Sequence, residues 1–136
     1  MPGSFSYNPL TSTKGSVFQS PLSTITGLRE TKIAPTINSG NLLIDCNAAN
    51  VFAVSLNANI TTLSFTNVPT SGNAFGLTLL LTADGTARTI TWGSAVKWAG
   101  GTAPTLTSTN AKVDVYVLVT HDGGANWYAF TSGQNL

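Results

Sequence analysis

The chain reads as an all-β protein: an antiparallel β-sandwich or jelly-roll-like domain carrying an extended N-terminal arm. Three observations predict this. Apolar side chains recur at every second position from about residue 41 onward, turn-forming Asp-Gly, Asn and Pro clusters fall between those runs, and no segment sustains a helical period. With 136 residues the chain fits one domain plus an extension.

Residues 1–40 form the arm. They carry Pro2, Pro9, Pro21 and Pro35 among many Ser and Thr, with Phe5, Tyr7, Leu10, Val17, Phe18, Leu22, Ile25 and Leu28 scattered between. Proline fixes φ and removes a backbone donor, which keeps such a segment extended. At about 3.3 Å per residue the arm spans on the order of 130 Å when stretched. A plain linker is more polar than this. The aromatic residues point to a segment that orders by lying on a partner or by wrapping its own domain.

Residues 41–136 form the body. Residues 50–56 put Phe52, Val54 and Leu56 on one face, with Val51, Ala53 and Ser55 opposite. In 74–82, Phe75, Leu77, Leu79 and Leu81 share a face. In 112–120, Val113, Val115, Val117 and Val119 oppose Asp114, Tyr116, Leu118 and Thr120. Successive strand side chains point to opposite faces, so this alternation is what half-buried strands require. Shorter runs at 42–46, 62–66, 87–92 and 126–131 read as strands as well. Asp84-Gly85 lies between two such runs and predicts a hairpin, because glycine accepts positive φ. Asp122-Gly123-Gly124 predicts another, and the Gly100-Gly101-Thr102-Ala103-Pro104 stretch reads as an irregular loop.

The composition excludes several functions. Charged residues make up 8%, against about 25% in an ordinary domain, and the net charge is +1. A surface of Thr, Ser, Asn and Gly repels copies of itself weakly and suits a protein that lives packed against neighbours. Lys14, Arg29, Lys32, Arg88, Lys97 and Lys112 are spread along the chain with no basic stripe for phosphates, so nucleic acid is not an expected partner. No apolar run approaches the roughly 18 residues of a membrane span, and the opening MPGSFSYNPL lacks a basic-then-apolar signal. Cys46 stands alone, which excludes an intrachain disulfide and makes a buried small hydrophobe the natural reading.

No catalytic constellation emerges, so the chain is expected not to be an enzyme. His121 is the one imidazole, placed beside Asp122 in a glycine-rich turn where adjacent side chains point apart. Asp84 and Asp122 serve turns, Glu30 lies between Arg29 and Lys32, and Asp45 and Asp114 are expected to face solvent or a nearby cation. One His and one Cys offer no metal-ligand spacing, and no cofactor is implied. Trp92, Trp98, Trp127, Tyr116 and Tyr128 are read as core or subunit contacts, with a sugar-binding shelf as the alternative.

From Asn41 onward the chain resembles a β-rich module of tailed-bacteriophage virion proteins, found in tail-fibre-like proteins and in small capsid decoration (cement) proteins, especially of cyanophages. The residues that carry it are Asn50-Val51-Phe52-Ala53-Val54-Ser55-Leu56, Asn67-Val68-Pro69, Ser71-Gly72-Asn73-Ala74, Leu81-Thr82-Ala83-Asp84-Gly85 and Arg88-Thr89-Ile90-Thr91-Trp92. The most distinctive run is Val96-Lys97-Trp98-Ala99-Gly100-Gly101-Thr102-Ala103-Pro104-Thr105-Leu106, followed by Val113-Asp114-Val115, Asp122-Gly123-Gly124 and Trp127-Tyr128-Ala129-Phe130. The resemblance implies a virion structural role, often as a homotrimer, and carries no catalytic residues. A compact body with an apolar-dotted arm suits a decoration protein on the outer capsid surface, its arm holding the major capsid protein. Phe5, Tyr7, Phe18, Arg29, Glu30 and Lys32 are then the expected capsid contacts. The alternative is a tail-fibre or receptor-binding tip module that recognises host glycans.

Overall fold

The computed structural model describes residues 29–136. Among them are eight strands: β1 (Lys32–Ile33), β2 (Asn41–Asp45), β3 (Val51–Leu56), β4 (Thr62–Thr66), β5 (Phe75–Ala83), β6 (Val96–Trp98), β7 (Val113–Thr120) and β8 (Trp127–Gly133). The one helical element among the described residues is a 3-10 turn at Ala99–Gly101. The all-β class follows from the alternation seen in the sequence.

A six-stranded sheet runs in the order β1-β3-β5-β7-β8-β6, and β2 and β4 form a separate pair. The antiparallel pairing expected from the sequence holds for β5 with β7 and β7 with β8. The other ladders, β1-β3, β2-β4, β3-β5 and β6-β8, are parallel. The cause lies in the connections. Consecutive strands from β1 to β5 fall alternately in the two sheets, so each strand meets the next-but-one along the chain. A parallel neighbour requires such a long crossover, and β4 lies within the crossover from β3 to β5.

Residues 32–83 therefore wind as a coil: Lys32 lies beside Val51, Val51 beside Thr78, and Leu42 beside Leu63. A parallel bridge between Ile60 and Ile90 extends the winding. It also replaces the strand expected at 87–92. Asp84-Gly85 does not close a hairpin onto that segment, because β5 takes β7 as its partner and the Asp84 turn opens a connection through 84–112. There Asp84 accepts the backbone N–H of Thr86 and pairs with Arg88 at 2.7 Å.

The two sheets share one core. Phe52, Val54 and Leu56 from β3, with Leu77, Leu79 and Leu81 from β5, pack on Leu42 and Ile44 of β2. Phe65 of β4 stacks on Trp127 of β8 with ring centroids 4.3 Å apart, tying the small sheet to the large one. The body also begins earlier than residue 41. Ile33 and Ile37 pack against the core, and Thr31 accepts the backbone N–H of Asn50 and Val51. Apolar side chains at 33 and 37 make this stretch part of the body, and any arm ends before β1.

Candidate interaction surface

The four aspartates of the described residues each accept hydrogen bonds from the chain's own groups. Asp114, expected at the surface, is 1% exposed and points into the core. Its carboxylate accepts the backbone N–H of Thr107 at 2.7 Å and of Asn135 at 3.0 Å, the Tyr116 hydroxyl at 3.2 Å and the Gln134 side-chain amide at 3.3 Å. Burial alone would raise its pKa, but the donors from Thr107, Asn135 and Gln134 outweigh it and hold the carboxyl below its ordinary value. The same environment pushes the Tyr116 hydroxyl up, through burial first and the adjacent Asp114 charge second. A carboxylate saturated by four donors of its own chain is a clamp joining β7, the 105–107 loop and the C-terminal residues.

Asp122 accepts the backbone and side-chain N–H groups of Asn126 and the Thr120 hydroxyl, which lower its pKa to about 2. His121 is exposed in that turn, stacked parallel to Tyr128 at 5.9 Å. Cys46 is buried, and burial followed by the charge of Asp45 raises its thiol to about 11, so it stays protonated and inert at neutral pH. Asp45 caps its own turn by accepting from Asn47 and Asn67. Among the described residues, no three His, Cys, Asp or Glu side chains gather where a metal ion could sit, and no helix is long and apolar enough to cross a membrane.

Most of the aromatic residues belong to the core. Trp92, Trp98 and Tyr116 pack edge-to-face in a triad, with centroid separations of 4.9, 5.4 and 5.5 Å. The indole N–H groups of Trp92 and Trp98 are buried with no hydrogen-bond acceptor among the described residues, a cost of about 1–3 kcal/mol each against which the ring contacts stand. Trp127 is buried beneath Phe65 and Phe75.

Tyr128 and Phe130 are the exceptions. They are 42% and 57% exposed and lie on the face of the large sheet turned away from the core. Strand register fills in that outer face. Lys32, Val51, Thr78, Val117 and Phe130 form one row across five strands, and Gly76, Val119, Tyr128 and Lys97 form the next. Ala53, Leu80 and Val115 form a third. The valine stripe of β7 thus looks outward, while Asp114, Tyr116, Leu118 and Thr120 fill the core side. The result is an apolar centre with a lysine at each rim and no carboxylate in these rows.

Of the contacts expected from the sequence, Phe5, Tyr7 and Phe18 lie outside the described residues. Arg29, Glu30 and Lys32 are exposed, and Lys32 pairs with Val51 in the outer-face row. Sequence reasoning missed this surface because an alternating strand announces two faces without saying which is covered. The available signal was β7, whose second face carries Val113, Val115, Val117 and Val119. Compared with protein-family models, curated proteins and solved structures, the chain matches none.

Proposed function

We propose that this protein is a non-enzymatic structural subunit of a virus particle. In this reading it is a decoration protein that binds the outer surface of a tailed-phage head through its N-terminal arm and stabilises the shell. The β-sandwich-like body sits outside, with the major capsid protein as partner and further copies, in a trimer, as neighbours. The observation that carries the reading is the outer face of the large sheet. There Leu80, Val115, Val117 and Val119 lie half-buried beside two exposed aromatic rings, on a body whose four aspartates and thiol are committed to turns and core. Such a face gives a protein something to assemble with. The low charge and the sequence resemblance to a module of tailed-phage tail-fibre-like and decoration proteins support a virion structural role.

Stabilisation would follow from mass action. A protein that binds the assembled shell and not its separated subunits lowers the free energy of the shell in proportion to occupancy and affinity. Residues Arg29, Glu30 and Lys32, with Phe5, Tyr7 and Phe18 before them, supply the grip. The test is cosedimentation of purified protein with expanded capsids that lack it. Full-length protein saturates the shell, and protein lacking residues 1–30, which keeps Thr31 and β1, stays in the supernatant. Equal binding by both would remove the arm from the account.

A second reading rests on the His121–Tyr128 stack and Phe130. Exposed rings beside neutral polar residues also suit a sugar face, as in a fibre tip that reads host glycans. Glycan-array binding that vanishes in Tyr128→Ala would favour that reading.

A further inference from the structure

The chain itself closes one end of the outer face of the six-stranded sheet. Residues 34–37 lie against Ala53 and Ser55, and Leu136 lies against Gly133. The other end, where β7 turns into β8, carries a different set of side chains. There Tyr128 is exposed, and so are His121, Lys97 and Phe130 around it. Register sets Lys97 beside Tyr128 on one flank, and Val119 and then Gly76 on the other. The Tyr128 ring lies parallel to His121, with the two planes 5° apart, so the imidazole backs one of its faces. Gly76 raises no side chain beside Val119, which keeps the floor on that flank low.

The charge at this end is one-sided. Lys97 donates to the Ser94 carbonyl at 2.6 Å, which uses one of three ammonium N–H groups, and among the described residues it meets no carboxylate. Asp122, the acid of the β7–β8 turn, is committed to the Thr120 hydroxyl and to the backbone and side-chain N–H groups of Asn126. We infer that this end of the sheet is a binding site for an acidic sugar, whose ring packs on the Tyr128 face turned away from His121 and whose carboxylate meets Lys97. The C–H groups on a sugar face suit an aromatic ring, while the hydroxyls at its rim stay in water. A ring already held by His121 loses little freedom when a ligand arrives. Neighbouring strands stand about 4.8 Å apart, so a substituent of a sugar seated on Tyr128 lies within reach of the long Lys97 side chain. The inference rests on the glycan reading above and adds the class of sugar and the residue that selects it.

The test is calorimetric titration of the full chain with glucuronate and galacturonate trisaccharides, each paired with the same trisaccharide reduced at its carboxylates to hydroxymethyl groups. At least one acidic form should bind about fivefold more tightly than its neutral counterpart. Lys97→Gln should remove that preference and leave the neutral affinity unchanged, while Lys97→Arg should keep it. Tyr128→Ala should weaken both forms about tenfold. Lys112→Gln, at the opposite end of β7, should change neither. Equal affinity for acidic and neutral forms overturns the acid selectivity and leaves the glycan reading standing. A loss in Lys112→Gln as large as in Lys97→Gln reveals general charge attraction and overturns the site, as does binding that survives Tyr128→Ala. Absence of binding by every trisaccharide also overturns the inference, and the glycan array then decides the broader reading on its own.

Discussion

Tyr116 donates its hydroxyl to Asp114 two residues earlier on the same buried face of β7. The pair explains why a strand that looks amphipathic with its valines inward is turned the other way. Once the carboxylate takes backbone N–H groups from Thr107 and Asn135, that face is fully bonded and can be buried, and the valines are left outside.

Removing the clamp should be expensive. Asp114→Ala strands two backbone donors and the Tyr116 hydroxyl, while the Gln134 amide keeps the Thr105 carbonyl and the Tyr116 hydroxyl as acceptors, and should destabilise the body by about 3 kcal/mol. Asp114→Asn keeps the shape and one acceptor oxygen and should cost less. Urea unfolding followed by tryptophan fluorescence measures both.

Acid should weaken the fold in a defined window. Asp114 and Asp122 have folded pKa values below their unfolded ones, near 3.9, and Asp122 lies at about 2. Their contribution is therefore complete above about pH 5 and is lost as pH falls toward 2. The urea midpoint should be flat between pH 5 and 7 and drop below pH 4. Asp122→Asn should make that drop shallower.

Two glycines should respond differently to alanine. Gly40 has φ +79° with the Thr61 hydroxyl 2.5 Å from where a Cβ would sit, while Gly72 has φ +94° with nothing within 4 Å. Gly72→Ala meets only left-handed backbone strain, about 1–2 kcal/mol. Gly40→Ala adds a collision at the β2–β4 junction and should lower the melting temperature further.

The stack that joins the sheets should be sensitive as well. Trp127→Ala empties a fully buried site and should cost about 3–5 kcal/mol, and Phe65→Ala somewhat less because Phe65 is partly exposed. Calorimetry on both variants checks the order.

The strand content was legible because Phe52, Val54 and Leu56, and Leu77, Leu79 and Leu81, alternate on faces that are in fact buried. Pairing was not legible. Nothing local in β3 says that Val51 will lie beside Thr78 after a crossover through a second sheet, since partner choice depends on how β4 packs across the core. β1 and β6 are too short to show a period, and the alternation at 87–92 yielded to the Asp84–Arg88 turn. The buried state of Asp114 depends on donors from loop 105–107 and the C-terminal residues 134–135, far from it in sequence. The outer face became visible only once register aligned Thr78 with Val117 and Val117 with Phe130.

Counting this polypeptide in purified phage particles, by quantitative mass spectrometry against the major capsid protein, tests the proposed role most directly. A decoration protein should be present in hundreds of copies per particle. Fewer than about fifty copies would contradict that role and point to the tail.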